Sequence, residues 1–197
     1  MLGKNIIVFD LETQRSFDEV GGRNCMEKLG ISVLGAYFYR TDEYLVFEES
    51  ELNNFEEMLA DRPLLVGFNS RRFDCTVLQP YVRADLSKFP QLDILEEVVR
   101  VVSHRVKLES VAQATLGTGK SGSGLDALKY WKNGEIDKLK HYCLDDVKIT
   151  REIYEYGANK GEILFMHKYG RGKARVPVTW EIEDPVGDAQ DKQMGLF

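Results

Sequence analysis

Residues 5–13, NIIVFDLET, decide how this chain is read. Ile6, Ile7, Val8 and Phe9 form an apolar run of the kind found in a strand buried on both faces. Asp10 and Glu12 follow at its far end. Side chains alternate across a strand, so both carboxylates point to the same face. Burying a carboxylate is costly unless it is paired, hydrogen-bonded or bound to a metal. Two like charges this close repel unless a cation sits between them, and hard oxygen donors suit Mg²⁺ or Mn²⁺. The plain alternative is a solvated strand end that is merely acidic.

The rest of the chain sets bounds. Its 197 residues suit one domain with a real core. Hydrophobic residues make up 43% and charged residues 29%, a soluble globular composition. With 26 basic against 32 acidic residues the net charge is −6, which disfavours tight nucleic-acid binding through bulk charge. A carboxylate cluster that loads metal would be partly neutralised in use. Cys25, Cys75 and Cys143 are far apart with no CxxC pair, which argues against a zinc site and a disulfide framework. They read as reduced thiols of a cytoplasmic protein. The start, MLGKNIIVF, lacks the pattern of a signal peptide, and no apolar run reaches the ~18 residues of a membrane span.

Ile31–Tyr39 and Glu43–Phe47 read as a hairpin around Arg40-Thr41-Asp42. Ser50 is the expected N-cap of a helix through Phe55, Met58 and Leu59, stopped by Pro63. Leu64–Phe68 is a further buried strand, Arg71–Val82 a helix, and Leu92–Ile94 a short strand. Helices are expected near Ile94–Val102, Leu108–Leu116 and Leu125–Trp131, with a glycine-rich loop over Gly117–Gly124. Asp137–Tyr156 is the longest helical pattern, and Ile163–Tyr169 with Ala174–Ile182 reads as a terminal hairpin or arm. Strands first, then strand and helix in alternation, predict an α/β sandwich on a mixed sheet.

Two more segments carry acidic residues towards the same place. NSRRFD puts Asp74 just past the strand Leu64–Phe68, and in parallel sheets ligands gather at the carboxyl ends of adjacent strands. Asp74 equally suits the first turn of a helix, where the macrodipole favours an acid. In KHYCLDDVKIT, Tyr142 and Asp146 are four apart and share a helix face, beside a core stripe of Leu139, Cys143 and Val147.

Together FDLET, NSRRFD and YCLDD resemble the three ordered motifs of the DEDD superfamily of 3′–5′ exonucleases, whose fold is ribonuclease H-like. The likeness spans about residues 5–156 and is nearest to the exonuclease domains of family B DNA polymerases and their stand-alone relatives. It implies a mixed five-stranded sheet flanked by helices, with an exonuclease domain over 1–160, a hairpin or arm over 161–183 and a tail over 184–197. It also implies two divalent cations, Mg²⁺ or Mn²⁺, held by Asp10, Glu12, Asp74 and Asp146. In that scheme Asp10, Glu12 and Asp146 would hold the cation that activates the attacking water, Asp10 would also hold a second cation that stabilises the leaving 3′ oxygen, and Asp74 would help through bound water. Leu11, Thr13, Asn69, Phe73 and Lys120 are the implied substrate contacts. The expected substrate is a single-stranded 3′ end, DNA rather than RNA, in replication or repair. An exoribonuclease, a non-catalytic binding module and an internally cutting ribonuclease H-like nuclease are the rivals.

The fifth residue of the family's site is Tyr or His, and this chain offers both. On a regular helix Tyr142 lies about 40° from Asp146 and His141 about 140°, which favours Tyr142 as the group that orients water. Tyr81 and Trp131, with Phe73, are aromatic candidates for base stacking; Arg71 and Arg72 are candidates for phosphate contact. ATLGTGKS, residues 114–121, meets a loose phosphate-loop pattern, but a helix rather than a strand is expected before it. The last residues, QMGLF, resemble the short peptide by which bacterial replication and repair proteins bind the sliding clamp, through Gln193, Met194, Leu196 and Phe197.

Overall fold

The computed structural model describes residues 4–119, 124–167, 172–180 and 182. A five-stranded sheet forms the centre, in the order β3-β2-β1-β4-β5. β1 (Ile6–Thr13) pairs antiparallel with β2 (Ile31–Phe38), which pairs antiparallel with β3 (Glu43–Glu48). On its other edge β1 runs parallel to β4 (Leu64–Gly67), and β4 parallel to β5 (Gln91–Asp93). This is the expected mixed sheet, and the early hairpin supplies its antiparallel half. A short helix, α1 (Phe17–Val20), capped by Ser16, follows β1.

The sheet is buried on both faces, which is why its inner strands read as continuous apolar runs. Ile6 and Val8 face a core shared with Val147 and Ile153, whereas Ile7, Phe9 and Leu11 face one built with Phe55, Val77 and Leu78. The first side is covered by α4 (Ile94–Val102), α5 (Leu108–Thr115) and α7 (Ile136–Lys160), the second by α2 (Leu52–Glu57) and α3 (Asp74–Leu78). α6 (Gly124–Lys132) packs beside α7 through Ala127 and Leu139. β6 (Glu162–Met166) and β7 (Lys173–Pro177) form a separate hairpin. Ser110 and Thr115 of α5 tie it down, since the hydroxyl of each exchanges hydrogen bonds with the backbone of Met166 and Leu164. The Trp180 indole stacks on Tyr154 and donates to its carbonyl at 2.9 Å.

Two local expectations need correction. Ser50 does not cap the second helix: a 3₁₀ turn over Glu49–Glu51 comes first, because the Glu51 carboxylate reaches back to the Glu48 N–H at 2.9 Å. The helix expected over Arg71–Val82 shrinks to α3 and a 3₁₀ turn, Gln79–Tyr81, since Pro80 has no N–H to continue the ladder. β1 runs on past Asp10 to Thr13, with a register shift against β2 between Glu12 and Thr13. Irregularities of this kind re-aim side chains at strand ends. Among the described residues no helix is long and apolar enough to cross a membrane.

Candidate metal and nucleic-acid site

Asp10 and Glu12 continue the even-numbered series of β1 and so face α7. α7 meets them with Tyr142, Cys143 and Asp146. Asp10, Glu12 and Asp146 each bring a carboxylate oxygen within 4.8 Å of the others. Asp146 is 3% exposed and Tyr142 4%, while Asp10 and Glu12 are half-buried. The Cys143 thiol lies among them and donates to the Asp10 carbonyl at 3.5 Å. Burial, with Asp10 and Glu12 adding their charge, pushes that thiol well above its ordinary pKa. The three converging ligand groups are carboxylates, so the donor set is oxygen. Such a set fits a hard divalent cation.

The helix comes this close because of a residue with no side chain. Gly35 of β2 lies opposite Asp10, and a Cβ there would sit 3.0 Å from Cys143 Sγ and 3.1 Å from Val147 Cγ2. Ordinary side chains would lift α7 off the strand.

Asp74 arrives from the other edge of β1. The β1–β4 pairing runs only from Ile6 to Val8, so the Leu11 N–H has no strand partner on that side. Asp74 Oδ1 accepts it at 3.1 Å. The side chain is fully buried, and burial is the main reason its pKa is pushed up to about 7; Asp93 and Asp146 push the same way and the Leu11 N–H opposes them. Asp74 is thus held against the backbone of β1, beside the cluster of three and not one of its members.

Asp93, which the sequence reading passed over, holds the turn that delivers Asp74. It ends β5 and its carboxylate accepts the N–H groups of Asn69 at 2.7 Å, Arg71 at 3.1 Å, Leu95 at 3.0 Å and Glu96 at 3.4 Å. One buried side chain both caps α4 and fixes the turn where Asn69 takes the left-handed conformation at φ 68°. The acid-before-helix pattern at Asp93 was the available signal.

A cleft of about 630 Å³ opens beside Glu12, lined among others by Leu11, Thr13, Phe17, Phe73 and Leu125. Leu125 on α6 is 68% exposed, a large apolar side chain left at the mouth. Of the residues named from the sequence, Leu11, Thr13 and Phe73 line this cleft. Asn69 lies further along, its Oδ1 accepting from Arg105 at 2.6 Å. Tyr81 and Trp131 do not share that position: Tyr81 packs on the Val77 side of the core and Trp131 against Val33 and Leu139. Arg71 is engaged locally with Glu96 at 3.4 Å. His141 is exposed on the regular helix, its Nδ1 2.7 Å from the Asp137 carbonyl oxygen. α5 precedes the glycine-rich loop, so the strand that a phosphate loop requires is replaced by a helix. Lys120 and the segment with Gln193, Met194, Leu196 and Phe197 lie outside the described residues.

Comparison with known proteins agrees with this fold. RNase D of Trypanosoma brucei superposes with a TM-score of 0.54 at 17% identity, over 78% of this chain and 57% of that one. A second structure of that enzyme, with RNA U12, gives 0.42 at 18% identity, over 78% and 62%. The chain thus spans less than two thirds of either. Among curated proteins none matches. The family model described as RNase_H superfamily matches residues 7–157, from the first strand through the long helix that carries Tyr142 and Asp146. This chain, with its nuclease-type fold and its acidic cluster at the end of β1, belongs to the RNase_H superfamily.

Proposed function

We propose that this protein is a metal-dependent 3′–5′ exonuclease that removes nucleotides from single-stranded 3′ ends, with DNA as the favoured substrate. The observation that carries the reading is the convergence of Asp10, Glu12 and Asp146, from a strand end and a helix about 130 residues on, within 4.8 Å. These three, with Asp74 beside them, would hold Mg²⁺ or Mn²⁺. When bound, such cations stabilise the charge on the attacking and leaving oxygens of a phosphodiester.

The protein's own groups supply position. Tyr142, one helical turn before Asp146 and buried beside it, orients the attacking water; His141 points away and plays no part. Asp74 fixes the end of β1 through the Leu11 N–H, which keeps Asp10 and Glu12 aimed at α7. Leu11, Thr13, Phe17 and Phe73 form the wall that takes the terminal nucleotide, excluding water from one side of it. Asn69 and Lys120 are assigned to the same strand path. The hairpin of β6 and β7, within residues 161–183, is assigned as an arm packed on the domain. The tail carries Gln193, Met194, Leu196 and Phe197 to a sliding clamp, which would keep an acidic enzyme on DNA by raising effective concentration.

One observation favours RNA as a second reading: the superposed fold is that of an RNase D. The test uses 5′-labelled single-stranded DNA and RNA in parallel, each with Mn²⁺, Mg²⁺ or chelator. A metal-dependent ladder shortening from the 3′ end supports the proposal, and the better substrate decides between the two nucleic acids. Internal cuts or no products from folded protein would overturn it.

A further inference from the structure

A second cavity of about 290 Å³ adjoins the cleft, and its walls are basic. Arg23, Arg72 and Arg105 line it together with Asn69, Phe17 and Phe73. Phe17, Arg23 and Phe73 also line the main cleft, so the two spaces share a wall. The Phe17 and Phe73 rings meet edge to face at 6.0 Å, and the Arg23 guanidinium lies 5.1 Å from the Phe17 centroid. Arg105 is fixed by its hydrogen bond to Asn69 Oδ1 at 2.6 Å.

Several other arginines of this acidic chain are paired: Arg40 with Asp61, Arg71 with Glu96, Arg151 with Glu155 and Arg175 with Glu162. Among the described residues none of the three pocket arginines pairs with a carboxylate. Three like charges around one small space repel one another, and an anion placed between them relieves that cost. Guanidinium forks suit phosphate oxygens, and the flanking aromatic edges suit a base or sugar. The separation of charge is also informative. Glu12 lines the main cleft on one side of the shared wall and Arg72 and Arg105 line the cavity on the other, so a strand crossing both would meet each where its chemistry asks for it.

We propose that Arg23, Arg72 and Arg105 form a phosphodiester-binding pocket for the substrate strand, gripping the backbone on the 5′ side of the nucleotide held in the main cleft. The proposal rests on the exonuclease reading and adds a length requirement to it. A strand long enough to enter the pocket is bound and cut better than one that fills the cleft alone. The electrostatic hold of an otherwise acidic protein on nucleic acid is concentrated at this one place.

The test uses R72Q/R105Q, which removes two charges and leaves the wall shared with the cleft intact. Binding of 5′-fluorescein dT12 is measured by anisotropy in chelator, across a salt series. The double variant should bind at least ten-fold more weakly. Its salt slope should be shallower by about 1.4, at ~0.7 per lost contact with a single strand. In Mn²⁺, the ratio of kcat/KM for dT12 over dT2 should fall at least ten-fold. R72K/R105K should recover part of the binding, and melting curves should show all three proteins folded. An unchanged salt slope and an unchanged length ratio would overturn the pocket while leaving the exonuclease standing. If the parent cleaves no strand but loses salt-dependent dT12 binding on R72Q/R105Q, the pocket stands and the exonuclease reading falls.

Discussion

The two halves of α7 press charged side chains against the same sheet, with opposite results. In the C-terminal half, Arg151 lies 3.9 Å from the Tyr37 ring centroid, with Tyr39 and Tyr44 nearby. It pairs with Glu155 at 2.9 Å, and Glu155 accepts from the Tyr39 hydroxyl at 2.9 Å. Burial pushes the Tyr37 hydroxyl up to about 12 and raises Tyr39 too, so these two phenols remain neutral donors to Asp42 and Glu155. Positive, negative and aromatic groups close the arrangement from within. In the N-terminal half, the converging groups are of one sign. Asp10, Glu12 and Asp146 share a small volume, with Asp74 pushed towards neutrality next to them. The first region is finished by its own residues. On the proposed reading, the second is completed from outside, by cations. On that reading, the buried charges of this helix are structural in the first region and functional in the second.

The sharpest way to break this contrast is at the acidic end. Asp146→Ala or Asp10→Ala should lower kcat/KM by about 10³-fold or more, the ~4 kcal/mol expected when a metal ligand is removed from a phosphoryl-transfer site. Circular dichroism should show the fold retained; activity near that of the parent would mean the cluster is no more functional than the Arg151 nest. Asp93→Ala comes next. Freeing four backbone N–H groups should cost about 2–3 kcal/mol in urea denaturation, and the loosened turn should lower activity about ten-fold per folded molecule. Arg151→Met probes the opposite end. It should cost about 1–2 kcal/mol of stability through the lost ring and carboxylate contacts, with kcat/KM at saturating Mn²⁺ unchanged. A loss of turnover there would show that the two halves are not independent.

The smallest effect is one of pH. Asp74 holds its proton up to about pH 7 in the folded chain, against 3.8 ordinarily, so between those values the native state binds a proton that the unfolded chain has released. Stability from this group therefore declines as pH rises from about 4 to about 7. In chelator, Tm should be a few degrees lower at pH 7.5 than at pH 5.5, at roughly 2–4 °C per kcal/mol. Added Mn²⁺ should raise Tm more at pH 7.5 than at pH 5.5. A Tm that instead climbs with pH in chelator would show that the acidic cluster is compensated internally after all.

What the sequence made legible follows from what is periodic in it. Alternation along β1 places Asp10 and Glu12 on one face, and the four-residue spacing of Tyr142 and Asp146 does the same on α7. Both rules are local, and both faces prove to be the ones that meet. The parts that were not legible depend on contacts between distant segments. Asp93 looks like an ordinary helix cap until β4 and β5 bring Asn69 against it. Phe17 and Leu125 carry no motif, and only the packing of α1 and α6 around the cleft gives them a role. Arg72 and Arg105 are 33 positions apart in the sequence and share a pocket solely because the Asn69 turn folds towards the segment after α4.

Gly35 has a consequence for which ion this protein can use. It acts as a shim of zero thickness between β2 and α7, and the distance from Asp146 to Asp10 and Glu12 is set by how far the helix can sink onto it. Mg²⁺ demands oxygens at about 2.0–2.1 Å in near-octahedral array, whereas Ca²⁺ accepts about 2.3–2.6 Å and looser geometry. On the proposed reading, ion choice is gauged by a methyl group that is missing from the neighbouring strand. Thickening that shim by one carbon would retune the site without touching any of its ligands.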